Sequence, residues 1–312
     1  MKGIELSRKF YEEFGAKLIA DEFKEYENRI AVGIVGRGSE CFGFDDDISL
    51  DHDFSAGFSM WLTKKDDEQI GFKLMRAYGK LPKEYFGVKV ERQSLFGSTK
   101  FGVQTIGDFF KNMVGFEEIP TIWQEWFYVP DHAYAESVNG AIFRDDLGEF
   151  TNFQRAIREI PRDIKLKKLA AHLALAAQSG QYNFSRMIKH GEAAGAQLAI
   201  AEFVNQVLYV VFSLNNEFLP YYKWRFRALS FLKKFSDMTD NLEFLLTSPN
   251  DKNTAATKAK IIEEISARII EELKIQNLSS SQSDYLENHA LSVTSLIKSR
   301  EISSLHLMDC GE

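Results

Sequence analysis

The stretch AAGAQLAIAEFVNQVLYVVFSL, Ala193 to Leu214, constrains this chain more than any other. It is apolar on nearly every face of a helix, so it must be surrounded by other apolar elements. Lipid would meet that need, and so would the interior of a helical domain. Glu202, Asn205 and Gln206 stand in its middle, and a charge at that depth is costly in lipid. We expect a buried central helix of a soluble domain and no membrane contact.

The surrounding sequence supplies the elements to bury it. From about residue 104 onward apolar side chains recur at helical spacing. The pattern predicts helices over 105–115, 119–127, 131–138, 151–160, 163–179, 182–190, 192–215, 219–236, 254–274 and 281–298. TSPNDKNTAATK (247–258) reads as an internal linker and NLSSSQS (277–283) as a second break. The first hundred residues differ. Phe10, Phe14, Leu18, Ile19 and Phe23 mark an amphipathic helix over 5–28. RIAVGIVGRGS reads as a buried strand entering a glycine turn, and DHDFSAGFSMWLT as a second strand. DDEQIGFKLMRAYGKL predicts a helix. YFGVKVERQSLF predicts a third strand, with Val88 and Val90 on one face and Lys89 and Glu91 on the other. The fold class expected is α+β: a small mixed-sheet domain over 1–104, then a larger all-helical domain over 105–312.

Charge and cysteine usage narrow the function classes. A net charge of −7 argues against a general nucleic-acid binder, although a local basic pocket is compatible with it. The two cysteines, Cys41 and Cys310, lie far apart without metal-ligand spacing, which fits a reducing cytoplasm and no disulfide framework. MKGIELSRKFYEEF lacks the apolar core of a signal peptide.

Chemistry concentrates in GRGSECFGFDDDISLDHDF, Gly36 to Phe54, which places five aspartates and a histidine within nine residues beside a Gly-Ser turn. Gly38 and Ser39 follow the first strand, where the N-terminus of a following helix would offer backbone N–H groups to phosphate. Asp51 and Asp53, two apart at the start of the second strand, share one face. Paired carboxylates opposite a phosphate-holding turn suit Mg²⁺, and Glu91 is a third carboxylate that could face the same spot. Three carboxylates on adjacent strands meet the requirement of a two-metal phosphoryl or nucleotidyl transfer site. Asp45, Asp46 and Asp47 read as turn or helix-end residues, His52 as a structural residue on the opposite face, and Cys41 as a packed side chain. Arg37 fits either a phosphate contact or an exposed surface.

Gly-Ser, an eleven-residue gap, then Asp-x-Asp on a strand resembles the polymerase-beta-like nucleotidyltransferase superfamily, which includes the kanamycin and lincosamide nucleotidyltransferases. GSECFGFDDDISLDHDF is more similar to a bacterial domain family of unknown function within that superfamily. The chain has Ser49-Leu50-Asp51-His52-Asp53 where the superfamily commonly has Ser-Asp-x-Asp. The likeness covers residues 30–95, with a looser one at LNNEFLPYYKW (214–224). It implies that Gly38 and Ser39 hold a triphosphate and that Asp51, Asp53 and Glu91 bind two Mg²⁺ ions, with Mn²⁺ as the alternative metal.

A triphosphate beside three carboxylates needs cations. QYNFSRMIKHGE offers Arg186 and Lys189, three apart on one helical face, and PYYKWRFR offers Lys223 on a helix started by Pro220. The leading expectation is an enzyme moving an NMP from an NTP to a hydroxyl. Its acceptor is a small molecule in preference to a protein or tRNA, and Glu91 or Asp53 takes the hydroxyl proton. A nucleotide-holding module without turnover is the alternative. A metal-dependent phosphohydrolase using Asp and His is the weakest, since His52 is the one histidine near the acidic run.

Overall fold

In the computed structural model, which describes residues 1–47, 55–90 and 101–311, the sheet is organised around β1, Ala31–Ile34. Its four residues are buried, as their apolar character requires of a strand covered on both faces. β1 pairs antiparallel with β2, Ser59–Leu62, in the register Gly33↔Ser59 and Ala31↔Trp61. The hairpin strands β3 (Glu84–Tyr85) and β4 (Val88–Lys89) form a separate two-stranded sheet. β5, Gly102–Thr105, runs parallel to β2, and β6, Ala141–Arg144, runs antiparallel to β1. The order β5-β2-β1-β6 is a mixed sheet, and the fold is α+β.

That register has a topological result. β1 ends, and β2, β5 and β6 begin, at the same end of the sheet.

On one face lie the N-terminal helical segments Gly3–Phe10 and Ala16–Glu22, joined through a π turn, Tyr11–Gly15. Phe10 and Ile19 are fully buried with Phe58 and Leu74. The single helix expected over 5–28 therefore stops at Glu22, and a 3₁₀ segment, Lys24–Arg29, leads into β1. The third strand also departs from expectation in its described part. Phe86 and Gly87 both take positive φ (49° and 77°), which reverses the chain into a hairpin. Val90 then forms an isolated parallel bridge with Ala56.

Two compact units account for the chain: Met1–Thr121 with Ala133–Glu159, and Ile122–His132 with Ile160–Glu312. Compactness does not divide the chain at residue 104, because the sheet recruits later residues. Phe150 stacks on Trp61 at 4.1 Å, and Phe153 on Phe110 at 3.9 Å, burying the helices Ile106–Val114 and Glu149–Arg158 with β2. β6 supplies an edge strand from a region expected to be all helical.

Among its described residues the second unit holds helices and no strand. Its centre is the helix Ala193–Leu214, which packs against Arg162–Ala176, Thr239–Thr247 and Lys252–Ile275. That helix is long and apolar enough to cross a membrane, but 67% of its most apolar 18-residue window is buried inside the protein. It is a core helix. The run 247–258 is only partly a linker: Asp251 accepts hydrogen bonds from the Asn253 and Thr254 amides and starts the helix Lys252–Ile275. Lys258 in that helix is fully buried. The helix expected over 219–236 is broken into a 3₁₀ turn, Tyr222–Trp224, and a short helix, Arg225–Leu229.

Candidate functional site

The glycine turn begins where β1 leaves the sheet. Gly36 and Gly38 both have φ near +122°, a conformation that L side chains rarely adopt. Asn139 clamps the turn from a distance of about a hundred residues: its Oδ1 accepts from the Gly36 amide at 2.9 Å, and its Nδ2 donates to the Gly36 carbonyl at 2.8 Å. Gly140 then donates its amide to the Cys41 carbonyl at 2.8 Å. A Cβ at Gly140 would lie 1.9 Å from the Ile34 oxygen, so only glycine lets the backbones approach this closely. Nothing near residue 38 in sequence announces these partners. The Asn139-Gly140 dipeptide, a turn signal, is their one local mark.

Beyond the turn the chain departs from expectation. Ser39 precedes a single 3₁₀ turn, Glu40–Phe42, rather than a helix, and its side chain makes no capping bond. Three residues build little of the aligned dipole that a full helix offers an anion. Glu40 is buried, and its carboxylate folds back on the glycine: a Cβ at residue 38 would lie 2.6 Å from a Glu40 oxygen. Arg37 is exposed and its Nε lies 3.4 Å from Glu136 Oε2. Cys41 is buried, as a small packed residue should be. Asp45 accepts from the Gly3 amide at 2.8 Å and pairs with Lys2 at 3.6 Å, which makes it the anchor of the first helix. Asp46 and Asp47 are exposed.

Asp51, His52, Asp53 and Glu91 lie outside the described residues. Among the described residues no group of three His, Cys, Asp or Glu side chains is placed to hold a metal ion. The flanking backbone is described: Val90, one residue before Glu91, bridges Ala56, three residues after Asp53, and the Ala56 amide donates to the Lys89 carbonyl at 3.0 Å.

The three sequence-selected cations belong to the second unit, whereas Gly38 and Ser39 belong to the first. Arg186 is exposed and donates to the Tyr182 hydroxyl at 3.0 Å, one turn away. Lys189 is exposed in the same short helix, Ser185–His190. Lys223 is exposed, with its ammonium 4.9 Å over the Trp224 ring. It sits in the 3₁₀ turn, so Pro220 does not start a regular helix there.

A concave surface of about 640 Å³ lies wholly within the second unit. Arg225 lines it rather than Lys223, together with Tyr128, Tyr209, Tyr221 and Tyr222. Tyr209 is buried and stacks on His172 at 4.1 Å with the planes 6° apart. Gln206 Oε1 lies 2.6 Å from His172 Nδ1, and the Gln206 amide in turn donates to Glu202 at 2.8 Å. The polar residues that argued against a membrane span therefore brace this wall. Arg225 donates through Nε to the Pro220 carbonyl at 3.3 Å and through Nη1 to Asn205 Oδ1. Its guanidinium carbon stands 5.2 Å over the Tyr209 ring. PYYKWR is the sequence signal for this pocket, but spacing alone does not show which cation turns inward.

Residues 126–225 match a family described as a domain of unknown function (DUF4037). The matched segment includes Tyr128, Tyr209, Tyr221, Tyr222 and Arg225 of the pocket and the whole LNNEFLPYYKW stretch. No curated protein and no solved structure matches the chain.

Proposed function

We propose that this chain is a metal-dependent nucleotidyltransferase that moves a nucleoside monophosphate from an NTP to a hydroxyl of a small acceptor in the cytoplasm. The sheet register is the observation that carries the reading. The Gly36–Ser39 turn leaves β1 at the end of the sheet where β2 begins, and the chain entering β2 is the one that carries Asp51 and Asp53. The Ala56–Val90 bridge supports drawing Glu91 to the same place. Asp51, Asp53 and Glu91 are hard oxygen donors, the set that Mg²⁺ or Mn²⁺ takes, and on this reading they hold the metal. When bound, two such ions neutralise phosphate charge and orient the reacting groups.

The remaining roles fall to the protein. Gly38 and Ser39 amides hold the triphosphate, and Asp53 or Glu91 accepts the proton of the acceptor hydroxyl. Arg186, Lys189 and Lys223 are the cations assigned to the phosphates, and none has a carboxylate partner among the described residues. The buried Glu40 carboxylate lies against Gly38, so on this reading it must turn aside for the triphosphate; the second reading, a nucleotide-holding module without turnover, needs the same movement.

The test is label transfer from each α-labelled NTP with Mg²⁺ and a cell extract, using wild type, Asp51→Asn and Asp53→Asn. Losing one carboxylate should lower the rate at least 100-fold, on the order of 3 kcal/mol of transition-state stabilisation, with unchanged circular dichroism. Full activity in either variant defeats the metal assignment. NTP binding with no transfer in wild type selects the second reading.

A further inference from the structure

We infer that the tyrosine pocket of the second unit is a binding site for a small planar aromatic molecule carrying one anionic group. The inference does not rest on nucleotidyl transfer, because every residue it uses lies in the second unit.

Size comes first. About 640 Å³ falls within the roughly 300–1,000 Å³ of ordinary ligand pockets. The walls favour a flat ring. Tyr209, buried and stacked on His172, carries the Arg225 guanidinium 5.2 Å over its ring and so sets that charge at the pocket wall. Tyr221 and Tyr222 meet at 4.5 Å, with 40% and 66% of their surface exposed, and Tyr128 is 58% exposed. Exposed aromatic rings gathered around one concavity leave apolar area that a stacked ligand would cover. The hydroxyls of Tyr128, Tyr221 and Tyr222 have no hydrogen-bond partner among the described residues.

Charge selects the sign of the ligand. Aromatic cages also bind cations, but those need a negative or neutral surround. Among the described residues no Asp or Glu lines the pocket, and Arg225 is the only lining residue with a fixed charge. Asp131, next to the lining residue His132, is turned to Lys168, whose Nζ lies 3.5 Å from it. Arg225 is positioned by Pro220 and Asn205 through Nε and Nη1, both to neutral oxygens, so no carboxylate among the described residues neutralises its charge. Nη2 has no partner among the described residues and can donate to a ligand oxygen. One available guanidinium nitrogen matches one carboxylate or phosphate group, and a chain of net charge −7 offers anions few such places.

Calorimetric titration of the full chain with indole-3-carboxylate and benzoate tests this, alongside indole, cyclohexanecarboxylate and tryptamine. AMP, which joins an aromatic base to a phosphate, forms a second arm. The expected result is saturable 1:1 binding of an aromatic carboxylate or of AMP, at least tenfold tighter than indole, cyclohexanecarboxylate or tryptamine. The tighter arm identifies the anion as carboxylate or phosphate. Tyr222→Ala, at an exposed side chain, should weaken that binding at least tenfold. Arg225→Gln should bring indole-3-carboxylate and indole within threefold of each other. Arg225→Lys serves if the glutamine variant does not fold, and should lose at least threefold. Asp53→Asn should bind as wild type does, which separates this site from the nucleotidyltransferase reading. The inference is overturned if neither aromatic carboxylates nor AMP saturate the protein at millimolar concentration. It is also overturned if tryptamine binds more tightly than the anions, or if Tyr222→Ala binds like wild type.

Discussion

Asn139→Ala removes both hydrogen bonds that hold the glycine turn, to the Gly36 amide at 2.9 Å and from its own amide to the Gly36 carbonyl at 2.8 Å. Each such bond contributes about 1 kcal/mol net, and leaving a buried backbone group unsatisfied raises that cost. Gly36 is buried, so the loss should be about 2–3 kcal/mol. For a unit of this size, where 1 kcal/mol shifts the melting temperature by about 2–4 °C, that lowers it by about 4–12 °C. Arg37→Ala is the comparison. Its pair with Glu136 is longer, at 3.4 Å, and the Arg37 side chain is 75% exposed, so its removal should cost no more than about 1 kcal/mol. The assay is urea denaturation together with hydrogen exchange of the peptide spanning 31–42. A loss of about 2 kcal/mol corresponds to roughly 30-fold faster exchange at the Gly36 amide. An Asn139→Ala protein with unchanged exchange and a midpoint equal to that of Arg37→Ala would refute the claim that the side chain shapes the turn.

Lys258 is fully buried and donates to the Ser248 carbonyl at 2.8 Å, Asn250 Oδ1 at 2.9 Å and Gln197 Oε1 at 3.3 Å. Lys258→Met should destabilise the second unit by about 3 kcal/mol, read by urea denaturation, because it strands those acceptors; a stability equal to wild type would show that the ammonium is not what ties them. Burial pushes the Glu272 carboxyl up, but hydrogen bonds from Lys234 and Gln276 outweigh it and hold its pKa below the usual 4.5. Because the folded pKa is depressed, the contribution is present above pH 4.5 and is lost as pH falls through the folded value. Glu272→Gln should therefore flatten the acid limb of a stability–pH curve below 4.5, and an unchanged slope there would remove Glu272 from the acid sensitivity.

Different physical ranges explain which features the sequence discloses. Ala193–Leu214 is legible because a helix apolar on nearly all sides has few environments open to it, and its polar interruptions distinguish them. β1 and its turn are legible because AVGIV runs into Gly36 and Gly38, and those two glycines do carry positive φ. β6 is not. It has four residues, all only half-buried at a sheet edge, so neither alternation nor a continuous apolar run marks it. The Lys252–Ile275 helix is legible to within two residues of its start, but its polar first turns also read as a linker, and a buried lysine resembles a solvated one in sequence. At the glycine turn, residues 36–39 are identifiable locally, whereas Asn139 depends on pairing across 103 residues. Glu40 reads as an ordinary surface acid until its burial is seen.

The chain passes between the two compact units three times, after Thr121, His132 and Glu159. Neither unit is therefore a continuous piece of the polypeptide. The short piece Ile122–His132 carries Trp126 and Phe127, both buried, and its neighbours include Lys167 and Gly311. During synthesis this piece emerges from the ribosome well before the residues that cover it, and its aromatic side chains must wait while the chain around residue 311 is still unmade. A fragment ending at Glu159 would retain this piece without its cover. To express the sheet-bearing unit without this uncovered piece, residues 122–132 would have to be left out.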